Sequence, residues 1–143
     1  MILDVNVLVI ARNSSSPFHS HMRTWLEDAL NGPTRVGMPW ATLTAFLRLS
    51  TARTVFPSPL APDAAMAQVH AWLAAPASWV PAESPKHAEV LGALIQRHRL
   101  TGDLIPDAHL AALAIELGVE VCSTDGDFAR FHEIRWTNPL AAA

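Results

Sequence analysis

Residues 104–128 read LIPDAHLAALAIELGVEVCSTDGDF, and this stretch limits the fold more than any other. Leu110, Leu113, Ala114 and Leu117 stand at i, i+3, i+4 and i+7, the spacing of one helical face, and Gly118 supplies a stop. The spacing predicts a helix over 107–117, and the β-prone run VEVCST predicts a strand after it. An aspartate sits at each end of this apolar unit, Asp107 before the helix and Asp125 after the strand. Carboxylates are costly to bury, so both ends must reach solvent or a partner.

The rest of the chain repeats the alternation. Residues 2–5 read as a short buried strand that carries Asp4, and NVLVIAR turns into a helix. Met22, Trp25, Leu26, Ala29 and Leu30 mark a helix over 19–31, stopped by Asn31-Gly32-Pro33. TRVGM predicts a strand. PWATLTAFLRLSTAR predicts a helix with Pro39 near its start, and the prolines of TVFPSPLAP predict a loop. Helices follow from Pro62 to about Ala75 and from Pro85 to about Arg99, with a strand at SWVPAE between them. LTGDLI is read as a connector, DGDFARF as a turn with a short helix, and IRW as the last strand. The order β-α-α-β-α-α-β-α-α-β-α-β predicts an α/β fold: a central, mainly parallel sheet between helical layers. No repeat or linker divides the chain, so residues 1–143 are read as one domain.

In such sheets ligands bind beyond the carboxyl ends of the strands. Asp4 and Asp125 close two strands, and Asp107 opens the helix that leads into the second of them. The topology therefore brings three carboxylates to one edge. Packed together they repel, and a divalent cation removes that penalty. An all-oxygen aspartate set suits Mg²⁺ or Mn²⁺ better than Zn²⁺. The chemistry this implies is metal-assisted phosphodiester hydrolysis. The net charge of −3 gives no broad attraction for nucleic acid, so RNA contact would need local arginines or bound metal. Nine of the ten basic residues are arginine, which suits phosphate recognition.

The pieces ILDVNVLV, FLRLST, TGDLIPDAHLAALAIELGV, CSTDGDFARF and IRWTNPL, in that order, resemble the PIN-domain ribonucleases of the VapC toxin type. The resemblance spans nearly the whole chain. It implies a three-layer α/β/α fold, Mg²⁺- or Mn²⁺-dependent endonucleolytic cleavage of RNA (transfer or ribosomal RNA), a cognate VapB-like antitoxin and a homodimer. By the same resemblance Asp4, Asp107 and Asp125 are catalytic metal ligands, and Asn6 and Thr124 support them. Many family members carry a glutamate just before the apolar pair and arginine of the FLR segment; here that place is Ala45. The number of bound cations is therefore open, and Asp103 and Asp127 are candidates to replace the missing carboxylate.

Each residue also has a plainer reading. Asp107 is a good helix cap, Asp125-Gly126 a common turn, and Asp103 and Asp127 solvated loop acids. Arg48 approaches phosphate or forms a surface ion pair. His109, two residues after Asp107, is an acid–base candidate, and the seven histidines show no zinc-like spacing with Cys122. The rival functional reading is a catalytically weakened RNA- or antitoxin-binding module. A receiver-like domain is disfavoured, because the one lysine, Lys86, is misplaced for it. Partner contacts are expected on the helices around Trp25, Trp40 and Phe46. A single cysteine and the lack of a spanning segment or basic leader predict a cytoplasmic protein without membrane attachment.

Overall fold

The computed structural model describes residues 1–141. The elements are β1 Ile2–Leu3, α1 Val5–Arg12, α2 His19–Leu30, β2 Val36–Gly37, α3 Trp40–Ser50, α4 Pro62–Leu73, β3 Ser78–Trp79, α5 His87–His98, α6 Leu104–Leu117, β4 Val121–Cys122, a 3₁₀ turn Gly126–Arg130 and β5 Trp136–Thr137. This is the order the sequence predicts. All strand pairs are parallel, and the sheet order is β3-β2-β1-β4-β5.

The two faces of the sheet carry separate cores. Leu3 and Cys122 point into a cluster with Val7, Leu8, Met22, Leu26, Phe46, Val69 and Trp72 from α1 to α4. Ile2 and Val121 point the other way, into a cluster with Leu94, Ala111, Leu113 and Phe128 from α5, α6 and the 3₁₀ turn. Successive strand residues facing opposite layers is the period-two rule at work, and it makes the α/β/α sandwich. No helix among the described residues is long and apolar enough to cross a membrane.

Two boundaries differ from the sequence reading. The first strand stops at Leu3, because Asp4 leaves it to cap α1, accepting a bond from Val5 N–H. The last long helix begins at Leu104, so the last two residues of the expected connector, Leu104 and Ile105, are helical. Pro106 is tolerated there because first-turn N–H groups need no helical partner. Asp107 is thus a first-turn residue, and the cap position belongs to Asp103, whose side chain makes no cap bond. Phe46 also departs from the expected partner surface. It is 0% exposed and packs edge-on against Trp72, so it offers nothing to a partner. Trp25 is half-buried, while Trp40 and Phe18 are the exposed large apolar side chains.

Helix ends show two left-handed caps. Gly118, at φ 67°, ends α6 and serves that role without steric cost. Arg99 ends α5 at φ 51°, where a side chain is strained. Arg99→Gly is expected to stabilise the protein by about 0.5–1 kcal/mol, read from urea unfolding midpoints.

Candidate active site

β1 sits between β2 and β4, so the chain proceeds from β1 in one direction and resumes later on the other side. The crevice where the strand order reverses opens beyond the carboxyl ends of β1 and β4. Asp4 follows β1, and Ser123, Thr124 and Asp125 follow β4. The α6 helix brings Asp107 to the same place.

Asp4 is 8% exposed and densely bonded. One oxygen accepts from Val5 N–H at 2.7 Å. The other accepts from Asn6 Nδ2 at 3.0 Å and from Ser123 Oγ at 2.7 Å. Ser123 Oγ in turn accepts from Asn6 Nδ2 at 3.0 Å and from Asp125 N–H at 3.0 Å. Asn6 Oδ1 closes the network by accepting from Thr124 N–H at 3.0 Å. The two strand ends are thereby pinned together by one amide and one hydroxyl. Burial pushes the Asp4 carboxyl above its ordinary pKa, and the nearby Asp125 charge adds to this; the bonds from Ser123, Val5 and Asn6 act in the opposite direction.

The carboxylates of Asp107, Asp125 and Asp127 offer oxygens that all lie within 4.8 Å of one another. Asp125 also accepts from Asp127 N–H at 2.9 Å, which fixes the turn that presents both. Burial and the charges of Asp4, Asp125 and Asp127 push the Asp107 carboxyl up to about 7, against a smaller opposing effect of Arg130. A carboxyl with that pKa is half protonated near neutrality, and a cation would replace the proton. The donor set is all oxygen, at a spacing one ion can bridge, and therefore fits a hard divalent cation.

Asp4 and Asp107 also line a cleft of about 350 Å³ with Thr42, Ala45, Leu91 and His109 among its other walls. Ala45, the place where the resemblance leads one to expect a glutamate, therefore lines this cleft with a methyl group. Asp127 joins the acid cluster, while Asp103 is exposed and lies outside it. Arg48 is exposed near the end of α3; it does not line the cleft, and its guanidinium makes no ion pair among the described residues.

Three contributors escaped the sequence reading. The supporting hydroxyl is that of Ser123; Thr124 contributes its backbone N–H. A serine directly after a buried strand has to find partners, and that was the available signal. Arg130 lies close enough to lower the Asp107 pKa, and it bonds the Asp127 carbonyl at 3.1 Å. Its place three residues after Asp127 in DGDFAR hinted at this. Thr42, buried in α3, donates to the Leu3 carbonyl at 2.8 Å and ties that helix to the end of β1.

The PIN domain family model matches residues 1–134. Ribonuclease VapC37 of Mycobacterium tuberculosis is 43% identical, covering 98% of this chain and 97% of that protein. Ribonuclease VapC33 of the same organism is 36% identical over 98% of each. Two solved structures share the fold at lower identity. VapC20, a sarcin–ricin loop cleaving toxin from M. tuberculosis, aligns with a TM-score of 0.66 at 20% identity, covering 94% of this chain and 98% of that one. VapBC2 of Rickettsia felis, bound to a promoter DNA fragment, aligns with a TM-score of 0.69 at 15% identity over 96% of each chain. With a family match that covers nearly the whole chain and VapC relatives above 30% identity at full length, the chain belongs to the PIN domain family and stands among its VapC proteins.

Proposed function

We propose that this protein is a Mg²⁺- or Mn²⁺-dependent endoribonuclease, acting as the toxin of a toxin–antitoxin pair. The observation that carries the reading is the convergence of Asp107, Asp125 and Asp127 within 4.8 Å, with Asp4 on the adjoining cleft. The names of its relatives, Ribonuclease VapC37 and VapC33, support the same class.

Asp107, Asp125 and Asp127 would hold the cation, with Asp4 facing it directly or through water. When bound, the cation supplies Lewis-acid stabilisation of phosphoryl charge and makes an adjacent water more acidic. The chain's own residues do the rest. Asn6 and Ser123 orient the Asp4 carboxylate and hold the two strand ends in register. Asp125 is aimed by Ser123 through its N–H and by the turn it shares with Asp127. Arg130 bonds Asp127 and is close enough to act on the Asp107 charge, and its guanidinium is suited to a phosphate oxygen of the bound RNA. No side-chain nucleophile is required.

Transfer or ribosomal RNA is the proposed substrate, and a cognate VapB-like antitoxin and a second copy of the chain are the proposed partners. Complexes of VapB with VapC share this fold, which supports the first of these partners.

The test is incubation of the antitoxin-free protein with a panel of structured transfer and ribosomal RNA fragments, in Mg²⁺, Mn²⁺ or EDTA. Discrete cuts that need metal are expected. Folded protein that binds metal and cuts none of the panel would move the assignment to a non-catalytic binding module.

The missing glutamate generates a second expectation. Asp127→Asn is expected to weaken Mg²⁺ binding by roughly tenfold, the loss of about 1.4 kcal/mol from one charged ligand. Asp103→Asn is expected to leave it unchanged. Equal affinity in wild type and both variants, by calorimetric titration, would remove Asp127 from the site.

A further inference from the structure

The chain carries a net charge of −3, yet from Ala29 to Pro62 it has no aspartate or glutamate and three arginines, Arg35, Arg48 and Arg53. The centre of this acid-free stretch is α3. One side of that helix packs inward through Leu43 and Phe46, both fully buried. Ala41, Thr42 and Ala45 line the cleft that holds Asp4 and Asp107. Trp40, Ala41, Thr44 and Arg48 are exposed, and at 3.6 residues per turn these four positions share one side of the helix. Ala41 belongs to both sets, so the exposed stripe is continuous with the edge of the cleft.

Two side chains on the stripe lack the partners that a plain surface would give them. Trp40 is 49% exposed, a large apolar ring left in water. Arg48 makes no ion pair among the described residues, so the surface-pair reading of that residue falls away. The two stand eight residues apart, about 12 Å along the helix axis. The cleft's other walls, from α1, α5 and α6, bring no arginine, tryptophan or phenylalanine to it. A polyanion approaching the acid cluster therefore meets its one arginine-bearing, aromatic wall on α3.

We propose that the exposed stripe of α3 is the track on which single-stranded RNA lies as it enters the acid cleft, with Trp40 stacking on an unpaired base and Arg48 holding a phosphate. The inference rests on the nuclease reading and adds the residues that position its substrate. An aromatic ring beside a cation is the pairing by which proteins hold single strands, because every base offers a π-face and every nucleotide a negative charge. Arginine suits phosphate by its planar fork of donors. The absence of carboxylates along the stripe removes the repulsion that the acid cluster itself would exert on RNA. Thr44 leaves the stripe low between the two contacts, since its hydroxyl is turned back to the Trp40 carbonyl at 2.7 Å.

The test reads binding apart from cleavage. A fluorescein-labelled single-stranded oligoribonucleotide of mixed sequence is titrated with the full chain carrying Asp107→Asn, in Mg²⁺, and followed by anisotropy. Adding Trp40→Ala is expected to weaken binding by about 5–100-fold, and Trp40→Phe to restore most of it. Adding Arg48→Gln is expected to lower the slope of log affinity against log salt by about 0.7, one phosphate contact on a single strand. Arg23→Ala on α2, whose arginine is exposed and paired with Glu27, is expected to change neither. In the chain with Asp107 intact, Trp40→Ala is expected to raise KM with kcat little changed. Both side chains are exposed, so the variants keep the fold, which circular dichroism checks. Binding that ignores Trp40 and Arg48 overturns the proposal, and so does folded Asp107→Asn protein that binds no RNA. Loss of binding that accompanies a change in sedimenting mass also overturns it, because a second copy of the chain would then be what covers the stripe. Cleavage that is indifferent to both residues removes the track and leaves the nuclease; RNA held through the stripe but never cut keeps the track and removes the nuclease.

Discussion

Asp107→Asn should raise the melting temperature of the metal-free protein at pH 8 while lowering RNA cleavage by on the order of 10³-fold. The two effects have one cause. Asp107 is pushed up to about 7 by burial and by the charges of Asp4, Asp125 and Asp127. In the unfolded chain it titrates near ~3.9. Between those values the folded state binds the extra proton, so the stabilisation present below pH ~4 is lost as pH rises through about 7. At pH 8 the charged group destabilises the metal-free fold. Asp107 is only half-buried, so solvent screening reduces this to about 1–2 kcal/mol, or roughly 3–8 °C in a domain of this size. Asparagine removes the charge and the penalty with it. It also removes the proposed cation ligand, so cleavage is expected to fall. The same reasoning makes Mg²⁺ affinity rise with pH up to about 7 and level off above it, since proton and cation compete for Asp107. Thermal melts at pH 5 and pH 8, with and without Mg²⁺, check the sign. A variant no more stable than wild type at pH 8 would contradict it.

Ser123→Ala is expected to be strongly damaging to both stability and activity. Its hydroxyl donates to Asp4 and accepts from both Asn6 and the Asp125 N–H. Ser123 is fully buried, so no bulk solvent replaces those bonds. Each buried group left without a partner costs about 1–3 kcal/mol. A loss of about 2–4 kcal/mol follows, because the affected groups can partly re-pair among themselves. Activity should fall with it, since Asp4 and Asp125 lose their common anchor. Thr124→Ala, one residue on, should stay within about 0.5 kcal/mol, because only the Thr124 backbone enters the network. Urea unfolding of the pair decides the matter: equal effects would show that the hydroxyl was misassigned.

The fold was legible because hydrophobic period changes at each boundary. The helical spacing of Leu110, Leu113 and Leu117, the stop at Gly118 and the β-prone run after it place α6 and β4 without any tertiary information. Strand lengths were less legible. Asp4 stands in an unbroken apolar run, and only its bond to Val5 N–H shows that a helix has already begun. The start of α6 was hidden by Pro106, which signals a break in sequence but fits a first turn.

Asp107 and Asp125 were visible as aspartates at helix and strand ends, because the topology of a parallel sheet sends those ends to one side; the third close carboxylate is that of Asp127, where the sequence reading places Asp4. Choosing between Asp103 and Asp127 was not possible from spacing, since it depends on a turn geometry that a side-chain–backbone bond sets. The role of Ser123 arises from contacts between segments far apart in the chain. Phe46 shows the reverse limit. A large apolar residue on a helix is equally consistent with core and with interface, and burial against Trp72 decided it.

The Asp107, Asp125 and Asp127 cluster is the proposed divalent-cation site. It is tested most directly by titrating Mn²⁺ into wild type and Asp107→Asn near pH 8 and counting free ion by electron paramagnetic resonance. Saturable binding in wild type that is abolished or greatly weakened in the variant is the predicted result. Equal Mn²⁺ uptake by the two proteins, or no saturable uptake by folded wild type, would contradict it.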